Sequence, residues 1–546
     1  MVITTRLSDF ISRHERWIPI VLGLIFAAVT IPGIAWGAPD IRNPDEIVMR
    51  VNQAFSGNFS FFDQQNFDYP SLPKYVMYGI GYVVYRIGLT KTDFVIAARL
   101  MSVLLGVCVV MMTYGITRRL GAKPYASILA GSIVLLSSVM TSNARFAHND
   151  LYLTFFAVLV VYFSIRYRES EQRLWLYAAF FSVGLAASSK YNGVILILIP
   201  LALVGFKFIP IRKISLPNIE ILFIGLILTF GGYVLGTPTA LLWMAFYLKR
   251  MIPAFFRNGV YGHLPDTPIG FIGQWQTFFY AAGILVFLAF LTAFAWFAIR
   301  LVRVTLRRGN IRSDKLDLVS IVLFAVVVFD IPLWFAYDYP PRLFLPLIPL
   351  LSILVGMFVQ EIMDRVIQPR MRWARWLVGL VGFSIILTSF LSVISVMLLF
   401  INDARNDAGA FLKTLPPGAS IEFTLYPPHI EENNFSRVQR YPIYITKYIE
   451  QPPAPSDRNF NQGETGLIAR GTVFLVTDSF TYTYDDFDDP WICQKNPVEC
   501  DFLKRLTAGE THYKLIKTFF YKLPAYLPQI SVDFVNPDIR IYKNEK

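Results

Sequence analysis

Long apolar stretches separated by short charged loops recur along the chain, and a stretch of about 18–25 mostly apolar residues can cross a bilayer as a helix. Such stretches begin near Trp17, Asp93, Pro124, Leu151, Leu174, Gly193, Ile219, Tyr280, Leu316, Leu343 and Trp376. The pattern predicts about eleven transmembrane helices. The first apolar run, Trp17 to Trp36, is too long for the h-region of a cleaved signal peptide and is expected to remain as a signal anchor. Residues Ser71 to Thr90 are also apolar, but Tyr75, Tyr78, Tyr82 and Tyr85 place an aromatic stripe on one helical face, with Lys74 and Arg86 towards the ends. That segment is expected to lie in the membrane interface rather than to span.

From Asn402 onward the long apolar runs disappear. Ser420 to Leu425, Thr472 to Thr477, Lys514 to Phe520 and Asp538 to Tyr542 read as short strands, and Asp403 to Leu412 as a helix. The expected fold class is therefore a polytopic α-helical membrane protein with a C-terminal α/β domain. Residues 1–401 form its transmembrane domain, with interfacial helices over 44–90, and residues 402–546 the second domain. Cys493 and Cys500 lie in that second domain, and their spacing allows a disulfide or two thiols. Asp485, Asp486, Asp488 and Asp489 lack the spacing of a calcium loop and read as a solvated loop.

Composition agrees with the pattern. The chain is 55% hydrophobic and only 16% charged, which excludes an ordinary soluble domain. The net charge of +12 would suggest nucleic acid in a soluble protein. Here the basic residues gather in short loops, so no nucleic-acid partner is expected. With the N-terminus inside, every second loop is basic: Arg118-Arg119-Lys123, Arg166-Arg168-Arg173, Lys207-Arg212-Lys213, Arg300 to Lys315, and Arg365 to Arg375. Lys249, Arg250 and Arg257 in a long outer loop depart from the rule. This orientation makes the C-terminal domain extracytoplasmic.

The same orientation gathers the chemistry-bearing residues on one side: Asp45 and Glu46 after the first span, Arg145, His148 and Asp150, then Lys190 and Tyr191, His263, and finally Asp338 and Arg342. Charges at membrane depth are costly and are usually paired or functional. In Asn43-Pro44-Asp45-Glu46 the pattern predicts a capped helix start, with Asn43 as N-cap and Glu46 at N3. Adjacent helical residues point about 100° apart, so only one of the two acids can face a given pocket. An ion-coupled secondary transporter, with Asp45, Asp150 and Lys190 as a relay, and a catalytically silent lipid-binding protein are the alternatives to an enzyme.

The order of Asp45-Glu46, Ala98-Arg99-Leu100, the Arg145 to Asp150 turn, Ser189-Lys190-Tyr191 and Arg342-Leu-Phe-Leu-Pro346 resembles the GT-C membrane glycosyltransferases, notably protein O-mannosyltransferases and aminoarabinose transferases. The resemblance runs from Trp17 to Ile401. It implies a polyprenyl-phosphate-linked sugar donor drawn from the membrane, with transfer to an acceptor hydroxyl of protein, lipid or glycan on the extracytoplasmic face. By that analogy Asp45 is the base and Arg342 holds the donor phosphate, with Lys190, Lys74 and Arg145 as further phosphate ligands. Glu46, Asp150, His148 and His263 are the acceptor or positioning residues. No obligatory metal is expected, because cations can stabilise a departing monophosphate. A divalent ion between His263 and Glu46 or Asp150 stays open.

Overall fold

The computed structural model describes residues 14–48, 67, 69–205, 216–257, 270–306, 316–335, 340–366, 372–424, 426–431, 434–440, 463–480, 493–494 and 497–545. The chain divides into two compact units, Met1–Pro39 with Pro44–Ile394, and Asp40–Asn43 with Ser395–Lys546. The division thus falls inside the last long helix, a few residues before the sequence-based boundary.

The first unit is helical. In chain order it contains α1 (Ile18–Thr30), α2 (Leu72–Arg86), α3 (Lys91–Arg119), α4 (Pro124–Leu135), α5 (Ser138–Asn143), α6 (Asp150–Ser170), α7 (Arg173–Ser189), α8 (Leu198–Gly205) and α9 (Leu216–Gly236). It continues through α10 (Thr239–Leu242), α11 (Met244–Arg257), α12 (Gly270–Ala282), α13 (Ile284–Leu306), α14 (Leu316–Asp330), α15 (Leu347–Glu361) and α16 (Arg372–Ile401). Helical structure occupies each expected span, but only seven described helices are both long and apolar enough to cross a membrane. They are α3, α6, α9, α13, α14, α15 and α16, with short extensions of α14 and α15.

The departures from the expected spans have local causes. The first helix stops at Thr30, before Pro32, and turns follow with Gly33 and Gly37 at positive φ. The span expected from Tyr280 starts instead at Ile284, because Gly283 at φ 79° ends α12. Helix α3 begins where its sequence dictates, with Thr90 and Asp93 forming a reciprocal capping box. Glycines bring α7 and α9 together. A β-carbon on Gly184 would run into the Thr229 carbonyl, and one on Gly232 into the Phe181 carbonyl. Small residues at such a crossing let two membrane helices approach closely.

The second unit carries a five-stranded sheet of β1 (Ser420–Phe423), β2 (Arg437–Arg440), β3 (Phe474–Asp478), β4 (Tyr513–Phe519) and β5 (Ile539–Asn544), in the order β2-β1-β3-β5-β4. β1 pairs in parallel with β2 and β3, whereas β5 runs antiparallel to β3 and β4. The strands β1 and β3 are buried along their whole length, as expected of parallel strands covered on both faces. Alternate side chains enter two cores. Ile421, Phe474, Val476 and Ile541 meet α17 (Ala404–Leu412), while Leu475 and Tyr542 meet α18 (Gly463–Ala469) and α19 (Pro497–Ala508). Glu422 in the interior strand β1 is fully buried and is held by Arg437, Arg470 and Thr472. Cys493 and Cys500 form a disulfide. The acidic run from Asp485 to Asp489 lies outside the described residues.

Candidate functional site

The turns after α1 leave backbone carbonyls without helical partners, and each such group at membrane depth needs a donor. Two buried arginines supply them. Arg145 donates to Val29 O, Pro32 O and Thr141 O at 2.7, 3.0 and 2.8 Å. Arg99 donates through Nη1 to Ile34 O and Trp36 O at 2.8 and 2.6 Å. Arg145, expected to bind the donor phosphate, is fully buried here and fastens the backbone.

Glu46 does not take the expected third position of a helix starting at Pro44: Pro44 and Asp45 form a turn, and 3₁₀ structure begins only at Ile47. The fully buried Glu46 carboxylate accepts from Arg99 Nε and Nη2 at 2.9 and 3.0 Å, and from the Ala147 backbone N–H at 2.9 Å. The Ile47 N–H in turn donates to Ala147 O at 3.0 Å. These bonds fasten the Asp45 turn to the segment between Arg145 and Asp150. Sequence reading names Arg99 only within a motif and misses this pairing.

With its neighbour anchored, Asp45 stays half-exposed and its Oδ2 accepts from Arg342 Nη2 at 2.7 Å. Arg342 sits on the 3₁₀ turn Pro341–Phe344, whose Phe344 ring stacks on Phe278 of α12 with centroids 4.7 Å apart. Burial alone would lower the Arg342 pKa, but the carboxylates of Asp150 and Asp45 outweigh it and hold the value above the ordinary arginine range. The two acids therefore both act on this one guanidinium.

Asp150 opens α6, and Lys190 follows the last residue of α7; these helices are consecutive and pack together, so the start of one meets the end of the other. Lys190 Nζ donates to Asp150 Oδ1 at 2.6 Å. His148 Nδ1 stands 2.7 Å from Asp150 Oδ2 without the angle of a hydrogen bond, and its buried Nε2 has no hydrogen-bond partner among the described residues. The Tyr69 ring meets His148 edge-on at 6.0 Å. Lys74, fully buried, donates to Tyr69 O at 2.9 Å. Tyr69 also acts electrostatically on Arg342, which makes it a member of the cluster that sequence reading misses.

The structure thus brings together Asp45, Arg342, Asp150, Lys190 and His148, with Tyr69 linking Lys74 to them. His263 and Asp338 lie outside the described residues. Among the described residues, no three His, Cys, Asp or Glu side chains gather as a metal site. Chemically the cluster offers two carboxylates beside two cations, one of them a guanidinium whose planar fork matches phosphate oxygens.

Residues 80–254 match the family model described as dolichyl-phosphate-mannose-protein mannosyltransferase. The chain is also similar to the crystal structure of ArnT from Cupriavidus metallidurans in the apo state, with a TM-score of 0.52 and 13% identity over 96% of this chain and 97% of that one. The chain has the GT-C fold. ArnT bound to undecaprenyl phosphate gives a TM-score of 0.51 at 14% identity, over 95% of this chain and 97% of that one. The S. cerevisiae protein O-mannosyltransferase Pmt1-Pmt2 complex bound to the sugar donor is similar over 44% of this chain and 34% of that one, with 21% identity and a TM-score of 0.31. No curated protein sequence matches significantly. Within the GT-C frame, the stretch matched by the family model contains Asp150 and Lys190, while Asp45 and Arg342 lie on either side of it.

Proposed function

We propose that the protein is a membrane glycosyltransferase that moves a sugar from a polyprenyl-phosphate carrier to an acceptor hydroxyl, with inversion at the anomeric carbon. The observation that carries this reading is the contact between Asp45 and Arg342 beside the Lys190–Asp150 pair, in a chain of GT-C fold. Asp45 takes the acceptor proton as the new C–O bond forms. The bond from the anomeric carbon to phosphate breaks with its electron pair on oxygen, and Arg342 and Lys190 stabilise the departing polyprenyl phosphate. Asp150 holds Lys190 in place, and Lys74 assists through Tyr69.

In an inverting transfer the base and the leaving phosphate stand on opposite faces of the sugar, so Asp45 and Arg342 have to separate. Donor binding provides the means, because an incoming phosphate competes with Asp45 for the guanidinium. Both side chains are partly exposed, at 27% and 19%, so opening this pair costs far less than opening a buried one.

Arg342→Lys keeps the charge but loses the bidentate fork, and is expected to weaken binding of polyprenyl phosphate by about tenfold, or about 1.4 kcal/mol. Titration of the purified protein with the lipid phosphate measures this. Unchanged affinity in the variant would mark Arg342 as structural only. The proposed orientation, with the basic loops cytoplasmic, makes the site and the C-terminal unit extracytoplasmic. Single cysteines at Pro44 and Glu431 should then label from outside the cell and one at Arg166 only after permeabilisation; labels at Pro44 and Glu431 from opposite sides would overturn the orientation.

A further inference from the structure

A cavity of about 550 Å³ lies in the first unit among α6, α8, α13 and α14, with its charged mouth far from the cluster described above. Its nearest charged wall is Arg168, eighteen positions along α6 from Asp150, which is about 27 Å at 1.5 Å per residue. The cavity is a slot with a polarity gradient. Along α13 it runs from Phe294 to Thr305 and along α14 from Val327 back to Asp317, or about 15 Å on each helix. One end is walled by apolar side chains, whereas Thr305, Asp317, Ser320 and Arg168 gather at the other.

That polar end coincides with the ends of three helices long and apolar enough to cross a membrane. The slot length equals one leaflet's share of a hydrocarbon core about 30 Å thick. Arg168 donates to Asp317 through Nε at 3.1 Å. Among the described residues its two Nη groups have no protein acceptor, which leaves up to four N–H donors at the mouth. Arg166 lies one turn-half earlier on α6 and Arg303 in the last turn of α13, so this end is net basic.

We infer that the slot binds one acyl chain of an anionic glycerophospholipid, with the lipid phosphate on Arg168. A chain of that class fills an apolar slot one leaflet deep, and its phosphodiester answers the guanidinium at the mouth. The site is separate from the proposed donor site and stands whether or not the protein transfers sugar.

The test is native mass spectrometry of the delipidated full-length protein, back-titrated with phosphatidylglycerol or phosphatidylcholine. One phosphatidylglycerol is expected to bind in preference to phosphatidylcholine. Ala298→Trp, which fills the slot from α13, should weaken that binding by about tenfold or more. Ala202→Phe fills it from α8 and serves if the tryptophan variant does not fold. Arg168→Gln should erase the preference for the anionic lipid while an acyl chain is still retained. Filled variants that bind phosphatidylglycerol like the unmodified protein would overturn the proposal, as would equal retention of both lipids. Stoichiometric displacement of phosphatidylglycerol by polyprenyl phosphate would also overturn it, by assigning the slot to the sugar carrier's tail.

Discussion

Asp45→Asn is expected to slow sugar transfer by about 10²–10⁴-fold, the usual contribution of a general base, equivalent to roughly 3–5 kcal/mol of barrier. The amide keeps the size of the side chain but cannot take the acceptor proton. It also removes the charge that holds Arg342 in the donor-free state, so binding of polyprenyl phosphate should be unimpaired or tighter. That combination separates loss of a base from loss of structure. Single-turnover rates together with lipid-phosphate titration measure both quantities. A variant that transfers sugar at the unmodified rate would remove Asp45 from the role of base.

Glu46→Ala should act on stability instead. It leaves Arg99 as an uncompensated buried charge and leaves the Ala147 N–H without its acceptor. Breaking a buried ion pair from one side typically costs about 3–5 kcal/mol, a large share of the stability of most folded proteins. Glu46→Gln should be milder, since one amide oxygen can still accept from Arg99 Nε and Ala147, while its NH₂ group faces Arg99 Nη2 as a second donor. Thermal unfolding in detergent is expected to rank unmodified, Gln and Ala in falling order. If Glu46→Ala melts with the unmodified protein, the buried pair is not what fastens the Asp45 turn.

These two adjacent acids show how far the sequence carries the site. Asp45, Asp150, Lys190 and Arg342 stand out as charges beside apolar spans, and that is legible without coordinates. Their pairings are not, because Asp45 and Arg342 are 297 positions apart. Arg145 reads as a phosphate ligand in sequence, and Arg99 only as part of a motif. What turns them inward is the early end of α1 at Thr30, since carbonyls in its last turn and in the turns that follow need donors. Glu46 fits a capping pattern by spacing alone, and only the fully buried position of Arg99 decides its partner.

The same contrast holds for the fold. Helix positions follow from apolar runs, whereas the Ile284 start of α13 depends on one glycine at positive φ. In the second unit the strands β1, β3, β4 and β5 are legible. β2, Arg437-Val438-Gln439-Arg440, carries one apolar residue and is a strand through its parallel pairing with β1 at the sheet edge.

The measurement that bears most directly on the proposed reaction is incubation of the purified protein, in mixed micelles with a panel of candidate acceptors, with labelled polyprenyl-phosphate sugars. The account predicts release of polyprenyl phosphate matched mole for mole by labelled product with inverted anomeric configuration, and loss of both in Asp45→Asn. Binding of the lipid-linked sugars without any release of polyprenyl phosphate across the panel would contradict it.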